Sequence, residues 1–274
     1  MAVLEIEDVN LRAEIESLKE EVAVATRGLV KFGLVQGIAL AAGHCSARVP
    51  NTNWFICKGR GYKVDSLAKM SADNMVIYDL DCNILEAPPG VGPVHEIKSH
   101  AEIYKARTDV GAVVHCHPPF VCLLSLLDKP ILPMFREGSE MFLKPIPIFT
   151  GTRRIISLQE DAESLANALG DSWAVIHKWH GAFTVGYNIG HALYNMLVLE
   201  TNARYNFLAM LAAGKDHPHL DLDLIKEAAE FLQDKTGEYK AKMPWLKYYR
   251  RFPDFLKHRT AIYWEAIKDY ILSP

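Results

Sequence analysis

The spacing of apolar positions changes period several times along the chain, and each change marks an element. From Val9 to about Phe32, the residues Leu11, Ile15, Leu18, Val22, Ala25 and Leu29 recur at three- and four-residue steps. That period predicts an amphipathic helix with acidic residues early, Arg27 and Lys31 late as the macrodipole favours, and Gly33 as its stop. The stretch "GIALAAGHCSARVPNTNWFICKGRG" reads as a polar turn, a short strand around Ser46–Val49, a turn at Pro50–Asn53 and a strand at Trp54–Cys57. "MVIYDLDCNIL" predicts a hairpin turning at Asp81–Asn83. A loop rich in Pro and Gly, from Ala87 to Pro93, leads to a helix from Glu96 to about Arg107, with Ile97, His100, Ala101 and Tyr104 on one face.

The second half continues in the same way. "AVVHCHPP" is a β-branched run closed by two prolines, and an apolar helix through Leu127 follows. "SLQEDAESLANALG" carries a capping-box pattern, Ser157 to Glu160, and a terminating Gly170. "SWAVIHKWHGAFTVG" predicts two strands around a turn at Lys178–Gly181, and a long helix runs from Ile189 to Ala213. After Gly214 the chain becomes helical, aromatic and strongly charged. The pattern therefore divides into residues 1–214, a core of mixed strands and flanking helices, and residues 215–274, a helical C-terminal extension. Within the extension, "WLKYYRRF" reads as a segment that packs against the core or a neighbouring subunit, or forms a lid.

Chemistry enters at "AVVHCHPP". Strand alternation sends His115 and His117 to one face and Cys116 to the other. Two imidazoles side by side at a strand end suit a divalent ion, although ordinary hydrogen-bonded histidines are the bland alternative. His180 lies at a turn before Gly181, where a small residue permits close approach. Glu96 starts the helix that feeds the His-x-His strand. Three imidazoles and a carboxylate would make a first shell with open positions.

Composition narrows the partners. Of 274 residues, 50% are apolar and 23% charged, as in a globular protein with a sizeable core. A net charge of −3 gives no reason to expect nucleic acid or an anionic membrane, and "FVCLLSLL" is far too short to span a bilayer. The acidic start lacks the basic and apolar regions of a signal peptide. Five cysteines without a C-x-x-C point to a reducing cytoplasm rather than a disulfide framework.

The order of Glu96, eighteen residues, His115-x-His117 and a distant His180-Gly181 resembles the class II aldolase/adducin family. The likeness runs from "GHCSAR" through "ARTDVGAVVHCHP" to "KWHGAFTVG" and the helix after it, about Leu29 to Ala213. The resemblance implies an α/β, three-layer α/β/α fold around a central, mostly antiparallel sheet. It also implies a homotetramer with sites at subunit interfaces, and a metal bound by His115, His117 and His180 with Glu96 as ligand or acid/base. Zn²⁺ and Mn²⁺ are the expected ions, with Fe²⁺ as an alternative.

Departures from the sugar-phosphate members point toward a different substrate. Where those members carry Asn, this chain has His44, and their two serines before the glutamate are Val94 and His95 here. Their proton-donating tyrosine would fall near Phe135 or Arg136. The expected substrate residues are His44, Ser46, Arg48, Lys58, Arg60 and Arg136, cations and polar groups suited to a small carboxylate. Glu96 and His95 are the catalytic candidates, and His100 could orient Glu96 from one helical turn away. The reading is a metal-dependent carbon–carbon lyase, a decarboxylase of a hydroxylated aromatic or heteroaromatic acid. Alternatives are an aldolase on a non-phosphorylated 2-keto acid, a non-haem iron oxygenase on an aromatic acid, and an adducin-like non-enzymatic module.

Overall fold

The computed structural model describes residue 4 and residues 6–61, 65–233 and 255–274. Helix α1 (Val9–Lys31) opens the fold, and Asp8 caps it by accepting hydrogen bonds from the N–H groups of Asn10 and Leu11 at 2.8 and 3.2 Å. Its first turn carries no acidic residue, so the Asp8 cap supplies the negative charge at that end. Strands β1 (Gly43–Arg48), β2 (Trp54–Lys58), β3 (Met75–Asp79) and β4 (Ile84–Glu86) form a meander. Helix α2 (Ile97–Ala106), β5 (Ala112–Cys116) and α3 (Pro119–Leu126) follow, then β6 (Ile148–Phe149), α4 (Gln159–Leu169), β7 (Ala174–His177) and β8 (Gly181–Gly186). Helices α5 (Ile189–Ala213), α6 (Leu222–Gln233) and α7 (Phe255–Leu272) complete the described chain.

The eight strands make one sheet in the order β4-β3-β2-β1-β5-β8-β7-β6. Every pairing is antiparallel except β6 with β7. Alternation divides each strand between two cores. Cys45, Ala47, Ala112, Val114 and Cys116 face α1, α3, α5 and α7, whereas Phe55, Val113, Phe183 and Val185 face α2 and α4. The result is the three-layer α/β/α arrangement. Trp264 and Ile271 of α7 are buried in the first core, against α1 and α5. "WLKYYRRF" lies outside the described residues. No helix among the described residues is long and apolar enough to cross a membrane.

The Ser157–Glu160 capping box does not form. Helix α4 begins at Gln159 with Leu158 in the cap position and no side-chain cap. Ile156, just before it, is buried with its N–H bonded to Glu96, and this anchor sets where the helix starts. Gly170 ends α4 as expected, with φ of +53°.

Helix α3 starts directly behind the His-x-His strand. Its first free N–H groups, on Phe120 and Val121, donate to the Glu200 carboxylate of α5 at 3.0–3.1 Å. Burial nevertheless outweighs these donors and pushes the Glu200 carboxyl up to about 7. A carboxyl whose pKa rises on folding, here from an ordinary 4.5, holds its proton more tightly in the native state. Its contribution is present below pH 4.5 and lost as pH climbs to about 7. The stability difference between Glu200→Gln and wild type should therefore shift in favour of the variant by on the order of 2 kcal/mol over that window. Urea unfolding of both proteins at the two ends of the window measures it, and parallel pH profiles would refute it.

Candidate metal centre

Strands β1, β5 and β8 are neighbours, and this adjacency assembles the site. His44 and His115 are directly paired across β1 and β5, and His115 stacks on Phe183 of β8 at 4.1 Å. The His115 Nδ1–H donates to the Ala182 carbonyl at 3.0 Å, which leaves Nε2 as the lone-pair nitrogen. His117 stands just past the strand end, its ring 5.3 Å from that of His115 and 4.6 Å from that of His180.

His180 comes from the β7–β8 turn. Its ring stacks on His177 at 4.8 Å, and His177 donates from Nε2 to the Thr152 carbonyl at 2.9 Å. The turn is strained: Trp179 holds φ of +68°, flanked by the cations of Lys178 and Arg153 at 4.8 and 4.9 Å from its ring. Gly181 is required by contact rather than by φ. A Cβ there would lie 2.4 Å from the Cys116 carbonyl oxygen and 2.8 Å from His117 Cδ2.

Glu96 is the N-cap residue of α2, at the helix's positive end. Its Oε1 accepts from the Ile156 N–H at 3.1 Å. Its Oε2 lies 3.2 Å from His115 Nε2, 3.3 Å from His180 Nε2 and 3.8 Å from His44 Nε2. Burial alone would raise this carboxyl, but the imidazoles, His115 foremost, hold it well below the usual carboxylate range. Burial lowers the His44 imidazole to about 4, and burial with the neighbouring His115 and His180 lowers His117 to about 3. Neutral imidazoles are the form a metal requires.

The donor set fits a divalent ion. The ligand nitrogens of His115, His117 and His180 lie within 4.8 Å of one another, and Glu96 falls within the same span of His115 and His44 and of His177 and His180. Although close to Glu96, the buried Nε2 atoms of His115 and His180 have no aligned hydrogen-bond partner. Lone pairs that are buried, convergent and unspent are what a metal would satisfy.

These residues open onto a cavity of about 270 Å³ that also includes His44, Lys58, Arg60 and His95. Lys58 is 1% exposed, and burial lowers its ammonium. Its Nζ is 3.4 Å from Asp65, whose other carboxylate oxygen is 3.4 Å from Arg60 Nε.

Three expected substrate residues lie elsewhere. Ser46 is fully buried, bonded to His100 and Tyr104. Arg48 donates to the carbonyls of Tyr104, Val110 and Arg107, because it shares the face of His44 but stands four residues away, at the other end of β1 and beyond the cavity. Arg136 is exposed and outside this cavity, and Phe135 beside it packs edge-on against Tyr205 of α5 at 4.6 Å. His100 does not orient Glu96; its ring nitrogens bond His44 and Ser46. Sequence reasoning did not find the supporting roles of His177 and Ile156, since neither stands in a motif.

Gly181→Ala should displace His117 and weaken metal retention by roughly tenfold or more, alongside a lower melting temperature. Metal content after dialysis reads the first effect and thermal unfolding the second; full retention with an unchanged melt would refute the contact argument.

Comparison with known proteins agrees with this geometry. Residues 20–207 match the family model of the Class II Aldolase and Adducin N-terminal domain. A probable L-ribulose-5-phosphate 4-epimerase of Mycoplasma pneumoniae is 36% identical over 81% of this chain and 90% of its own length. A 3,4-dihydroxyphthalate decarboxylase of Arthrobacter keyseri is 29% identical over 83% of this chain and 90% of its own. Among solved structures, an L-fuculose 1-phosphate aldolase from Glaciozyma antarctica superposes with a TM-score of 0.72 at 20% identity, covering 97% of this chain and 94% of that one.

Proposed function

Because the chain belongs to the class II aldolase and adducin family, we propose that it is a divalent-metal-dependent carbon–carbon lyase that decarboxylates a hydroxylated aromatic or heteroaromatic acid. The observation that carries this reading is the make-up of the cavity wall. Lys58, Arg60, His44 and His95 stand around the histidine cluster, and among the described residues no hydroxyl side chain lines the cavity. Ammonium, guanidinium and imidazole groups suit a carboxylate, whereas phosphate sites commonly add hydroxyls and nests of backbone N–H groups. The decarboxylase from Arthrobacter keyseri supports the same choice from sequence.

His115, His117 and His180 would hold the ion, with Glu96 as a further ligand. A bound divalent ion would supply Lewis-acid stabilisation of negative charge developing on the substrate's chelating oxygens. Lys58 and Arg60 receive an anionic group of the substrate, and Val94 and Ile155 form apolar wall. When the C–C bond breaks, CO₂ leaves and the electron pair stays on the ring carbon, which then needs a proton. Glu96, held as the anion by its imidazoles, has no proton to give and is a weak base, so its part is that of a ligand. His95 is exposed and lines the cavity, and is the donor of choice.

The greater identity to the probable epimerase favours a second reading, turnover of a sugar phosphate. Metal analysis by mass spectrometry on protein purified without chelator, beside a His115→Ala/His117→Ala double variant, tests the common premise. Near-stoichiometric Zn, Mn or Fe should be present and fall at least roughly tenfold in the folded variant. CO₂ release from ortho-hydroxylated aromatic acids, without oxygen uptake, is the expected activity. Oxygen uptake would replace it with an oxygenase, and sugar-phosphate turnover with the second reading. A wild-type protein that takes up no metal even on reloading would leave an adducin-like module.

A further inference from the structure

Behind the cavity, four buried polar side chains form an unbroken chain. Tyr104 Oη is 2.7 Å from Ser46 Oγ, which is 2.6 Å from His100 Nδ1, and His100 Nε2 is 2.7 Å from His44 Nδ1. All four are at most 6% exposed. The match is geometric. Two strand residues span about 6.6 Å and four helix residues about 6 Å, so His44 and Ser46 on β1 meet His100 and Tyr104 on α2 in step.

We propose that this chain is a tautomer lock: it fixes His44 with its proton on Nε2, as a neutral hydrogen-bond donor facing the Glu96 side of the cavity. Each link carries one proton, so the chain runs in one direction or the other. In the first, Tyr104 donates to Ser46, Ser46 to His100 Nδ1 and His100 Nε2–H to His44 Nδ1, leaving Nε2–H on His44. In the reverse order His44 would point a lone pair at the Glu96 carboxylate, 3.8 Å away, and the Tyr104 hydroxyl proton would need a different acceptor. Ser46 is the side-chain partner of the Tyr104 hydroxyl among the described residues, and the cost of a buried O–H left without an acceptor selects the first direction.

The chain ends at Tyr104, which is 1% exposed and covered by Phe55 at 5.4 Å and the Arg48 guanidinium at 4.7 Å. Burial makes this phenol harder to ionise than usual. A proton given up by His44 would have to be replaced from Tyr104, and among the described residues no side chain continues the hydrogen-bonded chain beyond Tyr104. His44 therefore donates a hydrogen bond and keeps its proton, unlike the solvent-facing His95. Resting on the decarboxylase reading, its task is to stabilise an anionic substrate oxygen as the C–C bond breaks, with a donor already oriented. Ser46, His100 and Tyr104 are then positioning residues, and the placement of Ser46 away from the cavity has a purpose.

Long-range ¹H–¹⁵N correlation spectra of zinc-loaded, ¹⁵N-labelled protein test the lock, with His44 assigned by loss of its signals in His44→Gln. His44 should show a protonated Nε2 and a lone-pair Nδ1. Ser46→Ala should move both shifts toward tautomer averaging, Tyr104→Phe should do so less, and Ser46→Thr should restore the wild-type pattern. A protonated Nδ1 in the wild type, or shifts unmoved in a folded Ser46→Ala protein, would overturn the proposal. With the decarboxylase substrate, Ser46→Ala should lower kcat roughly tenfold with little change in KM. The spectra need no substrate, so loss of the decarboxylase reading leaves the tautomer result standing, and CO₂ release likewise survives failure of the lock.

Discussion

A carboxylate is buried where three imidazole edges converge, and the rest of the site is arranged around that fact. Glu96 is 5% exposed, and an isolated anion there would be costly. It persists because Oε1 takes a backbone N–H, the start of α2 lies beneath it, and Oε2 sits among His44, His115 and His180. In return the carboxylate dictates how those rings present their nitrogens. The histidines carry lone pairs or single protons toward one point, where a cation would complete the charge balance.

The sheet makes that convergence possible. β1, β5 and β8 are consecutive in space though far apart in sequence, so residues near positions 44, 115 and 180 arrive at one end of three adjacent strands. α2 crosses the face on which His44, Ser46 and His115 project, and it brings Glu96 at its start and His100 and Tyr104 along its buried side. Cys116, on the opposite face, is sealed in the other core, where burial raises its thiol far above the usual range. Alternation alone separates the inert sulfur from the two imidazoles beside it.

Much of this was legible in the sequence because period and punctuation carry it. The helices at Val9 and Ile189, the hairpin at Asp81–Asn83 and the His-x-His strand all followed from spacing. The site was legible where side chains share a local frame, as with His115 and His117. Ser46 and Arg48 were misplaced because "GHCSAR" says which residues alternate but not which helix covers each one. The inferred capping box at Ser157 failed for a related reason: a long-range bond from Ile156 to Glu96 overrode a local pattern. His100 stood on the expected helix face, yet its partners lay on a strand more than fifty residues earlier, a pairing no window along the chain can register.

The wide separation of the proposed ligands also bears on how the protein is made. His115 and His117 are neighbours from the moment they are synthesised, whereas Glu96 and His180 join them only after α2 has docked and β8 has paired with β5. An unfolded chain thus presents fragments of a chelate, weak and interchangeable, and loop closure must come before cooperative coordination. Capture of the proposed ion would then be a late event that favours the finished β5–β8 pairing over its alternatives, and the metal would act as a proofreader of topology as well as a reagent.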